Sequence, residues 1–338
     1  MKRFLLALTL FMPVNAASAD TGLNLLSIPA AHHDRELEMA IMFPSEGGTS
    51  RPFGDNAVFY GVPVHDYAKP APGTYPVILM SHGWGGNFAR MGWLSAGLVA
   101  KGAIVVAVNH PNSTTGDLNN KSALNHWTRA QDLSAALDHV LKDAAFEGII
   151  DTKRIYATGF SYGGWTALSL GGLKGQRDGL DKFCHDGIEI SSHCRDILKA
   201  DIKISDLDRE KFEASYKDSR IAAVAAIDPA LTMGLTKADV AQLDVPVLLL
   251  GLGEGESRLA ATDTSAKGSN FEALFPDAKI EHLVPATHFT ALGLCKPNGA
   301  AILEEEKDDP VCTDPIGTDR KAVMNMIIAS IARHFQLD

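Results

Sequence analysis

The chain has 338 residues, of which 46% are hydrophobic and 21% charged, with a formal net charge of -10. That is enough apolar sequence for a sizeable core, and the acidic balance argues against nucleic acid or an anionic membrane surface as a partner, since both demand clustered positive charge. A small uncharged or cationic partner fits better, and oligomeric state is left open.

Taken in chain order, Lys2 and Arg3, the apolar stretch Phe4 to Met12 and Ala17-Ser18-Ala19 before Asp20 read as a signal peptide over 1–19, cleaved near Ala19. The apolar stretch is too short to span a bilayer, so no stable membrane insertion is expected. The predicted mature chain is exported, to the periplasm or beyond, and loses the two charges of Lys2 and Arg3. No Pro/Ser-rich linker, repeat or long like-charge run divides residues 20–338, which favours one domain.

Branched, strand-like segments then alternate with helical ones: Leu37 to Phe43, Ala57 to Val62, Val77 to Ser81, Ala103 to Asn109, Arg154 to Gly159, Ile221 to Ile227, Val247 to Leu250 and Lys279 to Leu283. The pattern predicts a mostly parallel eight-stranded sheet with helices on both faces. Near-continuous apolar character marks the middle strands as covered on both sides, and the first two look like an antiparallel entry. Helices are expected over Met91 to Lys101, Asn125 to Asp143, Tyr162 to Leu173 and Asp319 to Phe335.

The stretch 172–220 is charged and poor in strand formers, too long for a bare connection. It reads as a small, partly helical cap insertion over the strand ends. Four cysteines in an exported chain suggest two disulfides, and sequence proximity pairs Cys184 with Cys194 and Cys295 with Cys312. Cys184, His185, His193 and Cys194 match no zinc spacing, so neither a metal nor a cofactor is expected.

The strongest chemical signal is Gly159-Phe160-Ser161-Tyr162-Gly163-Gly164, a G-x-S-x-G motif between a predicted strand and a predicted helix. Glycines are needed there because a sharp strand-to-helix turn strains the central residue and leaves no room for neighbouring side chains. Ser161 is the candidate nucleophile. A serine hydroxyl needs a base, and the base needs an orienting acid, here expected downstream in the order serine, acid, histidine. His288 follows the last predicted strand and is the candidate base. For the acid, Asp228 ends one strand while Glu254 and Glu256 follow the next, and edge position does not separate them. The loop Ser81-His82-Gly83-Trp84-Gly85-Gly86 is of the type that aims backbone N–H groups at a developing oxyanion. Trp84 N–H and Tyr162 N–H are the candidate donors, with His82 bracing the turn.

Met80 to Gly86, Leu98 to His110, Gly159 to Gly164 and Ala226-Ile227-Asp228-Pro229 together resemble the plasma-type platelet-activating-factor acetylhydrolases and the bacterial predicted dienelactone hydrolases, members of the α/β-hydrolase fold. The resemblance runs from about Pro76 to the His288 loop and leaves out the cap and the Cys295 to Cys312 segment. It implies that Asp228, at the end of the strand after the nucleophile unit, is the acid, that no metal is needed, and that the substrate is a small-molecule ester. The expectation is therefore a serine carboxylic-ester hydrolase working through an acyl-enzyme. An amidase or peptidase on the same residues and a catalytically inactive exported binding protein are the alternatives. Ser161 stands where dienelactone hydrolases proper carry cysteine, so lactone cleavage does not follow from the resemblance.

Overall fold

A computed structural model describes residues 20–187 and 191–337. The predicted signal segment 1–19 lies outside the described residues, as do the side chain of His193 and residues 188–190. The strands are β1 (Asp20–Ile28), β2 (Leu37–Glu46), β3 (Thr49–Phe53), β4 (Val62–Asp66), β5 (Lys69–Pro70), β6 (Tyr75–Ser81), β7 (Ile104–Val108), β8 (Ser113–Thr114), β9 (Asp117–Leu118), β10 (Ile150–Phe160), β11 (Ala223–Ile227), β12 (Val247–Leu252) and β13 (Lys279–Leu283). One sheet of eleven strands runs β13-β12-β11-β10-β6-β7-β2-β1-β4-β3, with β5 beside β2. From β13 to β7 every pairing is parallel, whereas β7 to β2 and β2 to β1 are antiparallel.

The parallel half is buried on both faces, and the strand β6 shows how. Val77 and Leu79 enter one apolar cluster with the helices His126–Val140 and Tyr162–Gly171, and Ile78 and Met80 enter the other, with Gly92–Val99 and Arg320–His334. Alternate residues of a strand point to opposite faces, so helices on both sides turn an all-apolar strand into two cores. Because β7 and β10 flank β6 on opposite sides, the chain reverses its direction of travel across the sheet there. Open α/β sheets leave a crevice at the carboxyl ends of the strands at such a point.

The expectation of eight strands is corrected to eleven. The segment Ala57 to Val62 is not a strand: Asn56 Oδ1 accepts the N–H groups of Val58 and Phe59 at 3.0 and 2.7 Å, an Asx-type turn that diverts the backbone from pairing, and the strand begins at Val62. The antiparallel strand β1 was missed because it abuts the predicted cleavage site and its burial alternates poorly.

Within 172–220 lie the helices Arg177–Asp186, Ser192–Lys199 and Arg209–Phe212. Leu180, Cys184, Cys194, Ile197 and Phe212 form an apolar cluster with Leu124 and Trp127 of the body, and Cys184 is disulfide-bonded to Cys194. The anchor of this segment is His126, whose Nε2 donates to the carbonyl of Phe212 at 2.8 Å, with its ring edge-on to Phe212 and Trp165. Its Nδ1 is buried without a hydrogen-bond partner among the described residues.

Burial lowers His126 from 6.5 to about 4, so the unfolded chain binds a proton there that the folded chain refuses. Stability is therefore full above about pH 6.5 and declines as pH falls toward 4, by roughly 3 kcal/mol from this residue. Urea unfolding across this range should show the decline, and His126→Gln should flatten it by about one proton's worth of slope. An unchanged slope in that variant would refute the assignment.

Candidate active site

The strand β10 carries Phe160 to the carboxyl edge of the sheet, and the helix Tyr162–Gly171 starts two residues later. Ser161 must turn the chain alone. Its backbone sits at φ 57°, ψ -119°, a conformation that costs a non-glycine residue about 1–3 kcal/mol and persists only where neighbours over-determine it. Here its N–H donates to Ile227 O at 2.8 Å, and its carbonyl accepts from Trp165 N and Ala230 N, both at 3.2 Å. A Cβ on Gly163 would lie 2.0 Å from the Ser81 carbonyl oxygen, and one on Gly159 would lie 2.3 Å from that of Gly163. The two motif glycines therefore let β6, β10 and the helix meet. Ser161 ends up half-buried at the helix N-terminus, where the positive end of the dipole favours negative charge.

Asp228 follows β11, turns the chain with φ 46° and is completely buried. Its Oδ2 lies 2.6 Å from His288 Nδ1 and accepts the Thr262 hydroxyl at 2.8 Å, while Oδ1 accepts Leu252 N–H at 3.0 Å. A carboxylate so held requires the hydrogen of the imidazole on Nδ1, which leaves Nε2 as the basic nitrogen. His288 is 5% exposed and packs its ring against Phe160 at 4.5 Å. Its loop is braced from behind: Thr290 donates to Asp314, and Arg320 of the last helix holds Asp314 at 2.8 Å. Glu254 and Glu256 are exposed, and the carboxylate beside His288 is that of Asp228.

The loop after β6 rests on a buried polar relay that sequence reading missed. Arg129, 1% exposed, donates to Thr166, Ser113 and Ser81 hydroxyls at 3.1, 2.7 and 3.1 Å and to the carbonyl of His82. Ser81 Oγ is 2.8 Å from His110 Nε2, and His110 Nδ1 is 2.7 Å from Asp132 Oδ2. Since the carboxylate can only accept, the hydrogens run in one direction: guanidinium to Ser81, hydroxyl to His110, imidazole to Asp132. The relay thus joins two buried opposite charges through two neutral groups.

Burial and the nearby guanidinium lower His110 to about 4, keeping it neutral. Burial also disfavours the charged form of Asp132, but hydrogen bonds from His110, His32 and His33 outweigh it and hold the carboxyl far below its ordinary range. His82 is held well below 6.5 by burial, then by Arg129 and His110. Its Nε2 accepts His110 N–H at 3.2 Å, and its Nδ1 lies 2.7 Å from the Gly83 carbonyl, so it braces the turn. Arg129 also sits 4.4 Å over the ring of Tyr162, touching both segments that carry the candidate oxyanion donors.

Ser161, His288, Gly83, Trp84 and Tyr162 line one cavity of about 310 Å³. Tyr162 N–H, the first amide of its helix, has no acceptor inside that helix. Apolar side chains form most of the remaining wall, among them Leu180, Phe183, Met233, Phe289, Leu292 and Val311. Cys194 is also in the wall, and Val311 precedes Cys312, which is disulfide-bonded to Cys295. Both disulfide-linked segments thus face the cavity. The disulfide between Cys184 and Cys194 removes those sulfurs as thiolate ligands.

Among solved structures, a ferulic acid esterase from Streptomyces cinnamoneus superposes with a TM-score of 0.60 at 18% identity, covering 95% of this chain and 90% of that one. The fold is that of the α/β-hydrolases. A second such structure, the esterase Est22, matches with a TM-score of 0.50 at 14% identity over 94% of this chain and 82% of its own. By sequence, a cutinase of Thermobifida alba is 31% identical over 135 residues, 39% of this chain and 38% of that protein. One from Thermobifida cellulosilytica is 30% identical over 135 residues, 39% and 43% respectively. The chain therefore matches less than half the length of these curated relatives. No family model matches.

Removing the cation of the relay while keeping its bulk should be severe, because the buried Ser113 hydroxyl and His82 carbonyl lose their donor and the buried Asp132 carboxylate loses the positive charge that offsets it. Arg129→Met is expected to cost about 3–5 kcal/mol in urea unfolding. A loss of only ~0–1 kcal/mol, the value of an exposed ion pair, would show that the relay does not support this hydrolase fold.

Proposed function

We propose that this chain is a serine carboxylic-ester hydrolase that works through an acyl-enzyme. The observation that carries the reading is the fully buried Asp228 carboxylate 2.6 Å from His288 Nδ1, on a histidine that shares a cavity with the strained Ser161. Ser161 Oγ attacks the ester carbonyl while His288 Nε2 takes its proton. The tetrahedral oxyanion is held by the N–H groups of Trp84 and Tyr162, and collapse expels the alcohol with the proton from His288. Water then repeats the sequence on the acyl-enzyme. Asp228 keeps the imidazole in its useful tautomer and stabilises the cation that forms.

The cutinase and esterase relatives support the ester class. The finer likeness to platelet-activating-factor acetylhydrolases rests on Asp228 at the end of β11, the strand after the nucleophile unit. The 172–220 segment is the cap in this reading, its Leu180 and Phe183 supplying apolar wall for the acyl group. An uncharged ester of modest size fits a cavity of about 310 Å³ so lined. Two disulfides suit an exported protein. Among the described residues no helix is long and apolar enough to cross a membrane.

With a short nitrophenyl ester, Ser161→Ala is expected to lower kcat by about 10⁶-fold and Asp228→Asn by about 10⁴-fold, while Glu254→Gln and Glu256→Gln leave it unchanged. A fluorophosphonate should label Ser161. Wild-type turnover in Ser161→Ala would refute the nucleophile, turnover retained in Asp228→Asn but lost in Glu254→Gln would move the acid, and faster cleavage of the matching anilide would make the enzyme an amidase.

A further inference from the structure

At the opposite end of the relay from Arg129, the turn between β1 and β2 brings two adjacent imidazoles onto one carboxylate. His32 Nε2 and His33 Nε2 lie 2.6 and 2.8 Å from Asp132 Oδ1. The three donor atoms all fall within 4.8 Å of one another. Asp132 is fully buried, His33 is 8% and His32 19% exposed, so the group has a fixed base and an open mouth. The proposed esterase chemistry uses none of these three residues.

We propose that His32, His33 and Asp132 form a binding site for a divalent zinc-class ion. Two imidazole nitrogens and one carboxylate oxygen suit zinc and its transition-metal neighbours and do not suit calcium or magnesium, which take oxygen ligands. Around a tetrahedral zinc, ligands about 2.0–2.2 Å from the ion stand roughly 3.3–3.5 Å apart, so each nitrogen–oxygen pair must open by about 0.5–0.9 Å from its present hydrogen-bond distance. That movement falls on the turn holding the histidines, while Asp132 stays on its helix. Each ring then offers Nε2 as a lone pair and carries its hydrogen on Nδ1, with any extra proton released to solvent. Water entering past His32 completes the coordination.

The support around the carboxylate is already of the kind metal sites use. Asp132 Oδ2 is held by His110 Nδ1 at 2.7 Å, and an outer hydrogen bond of this sort orients a ligand and is commonly worth 10–100-fold in affinity. His110 in turn leads through Ser81 and Arg129 to the His82 carbonyl. The ion would clamp the β1–β2 turn to the helix His126–Val140 and load the far end of the chain that props the candidate oxyanion loop. Its principal effect is on stability.

The test uses the full disulfide-bonded protein, stripped of metal and titrated with zinc in a calorimeter, with calcium as comparison. One zinc per chain is expected, with a Tm that rises with zinc concentration, and cobalt should give the visible absorption of a tetrahedral complex. His32→Gln and His33→Gln should each weaken zinc at least tenfold, while Ser161→Ala and a His185→Gln/His193→Gln double variant bind as the parent does. Metal-free unfolding midpoints of the variants establish that they fold. Absence of saturable zinc uptake, or uptake undiminished in both His32→Gln and His33→Gln, would overturn the site. Since the readout is binding and not turnover, it stands or falls apart from the ester assay.

Discussion

The turn at Ser161 is the constraint on which the arrangement depends. A side chain presented to solvent between a strand and a helix, with no intervening loop, demands a backbone conformation that serine does not adopt unaided. What holds it there is the neighbouring strand: Ile227 takes its N–H, and Ala230 just beyond Asp228 donates to its carbonyl. The same two hydrogen bonds that impose the strain therefore also fix the start and end of the turn that positions Asp228. The strained residue and the buried carboxylate are two outcomes of one packing event between β10 and β11.

A second layer of support comes from the helix His126–Val140. Its buried side includes Leu133, Ala136, Leu137 and Val140, but also Arg129 and Asp132. Charged groups this deep are not a source of net stability, since their desolvation offsets most of their attraction. What they provide is a unique arrangement: Arg129 grips the His82 carbonyl and covers the face of Tyr162, so the loop after β6 and the helix after Ser161 share one anchor. Preorganised backbone donors lose much of their value if the loops that carry them drift.

Much of this was legible in the sequence. The apolar runs placed β6, β7, β10, β11 and β12 within a few residues, because a strand covered on both faces has few alternatives to continuous branched apolar sequence. Ser161 and His288 announced themselves through a glycine-bracketed motif and a place after the last strand. The relay did not, although a signal was present: Arg129 lies four residues before Leu133 on the apolar stripe, and Asp132 four before Ala136. A charge on a stripe that must be buried implies a buried partner. Strand β1 was hidden because a poorly alternating strand next to a predicted cleavage site carries little pattern of its own.

By itself the sequence determined the parallel core, the reversal of the chain at Ser161 and the types of residue available for the proposed acyl transfer, since these follow from local periodicity and from steric rules within a few residues. Edge position left Asp228 level with Glu254 and Glu256, only the family resemblance favouring Asp228, and the sequence carried no trace of the meeting of His32, His33 and Asp132. The contact of Asp228 with His288 and the meeting on Asp132 were decided by tertiary structure, for one reason. The partners of His288 and Asp132 lie 60 and about 100 residues away in the chain, and which carboxylate reaches which ring depends on how the strands order themselves across the sheet.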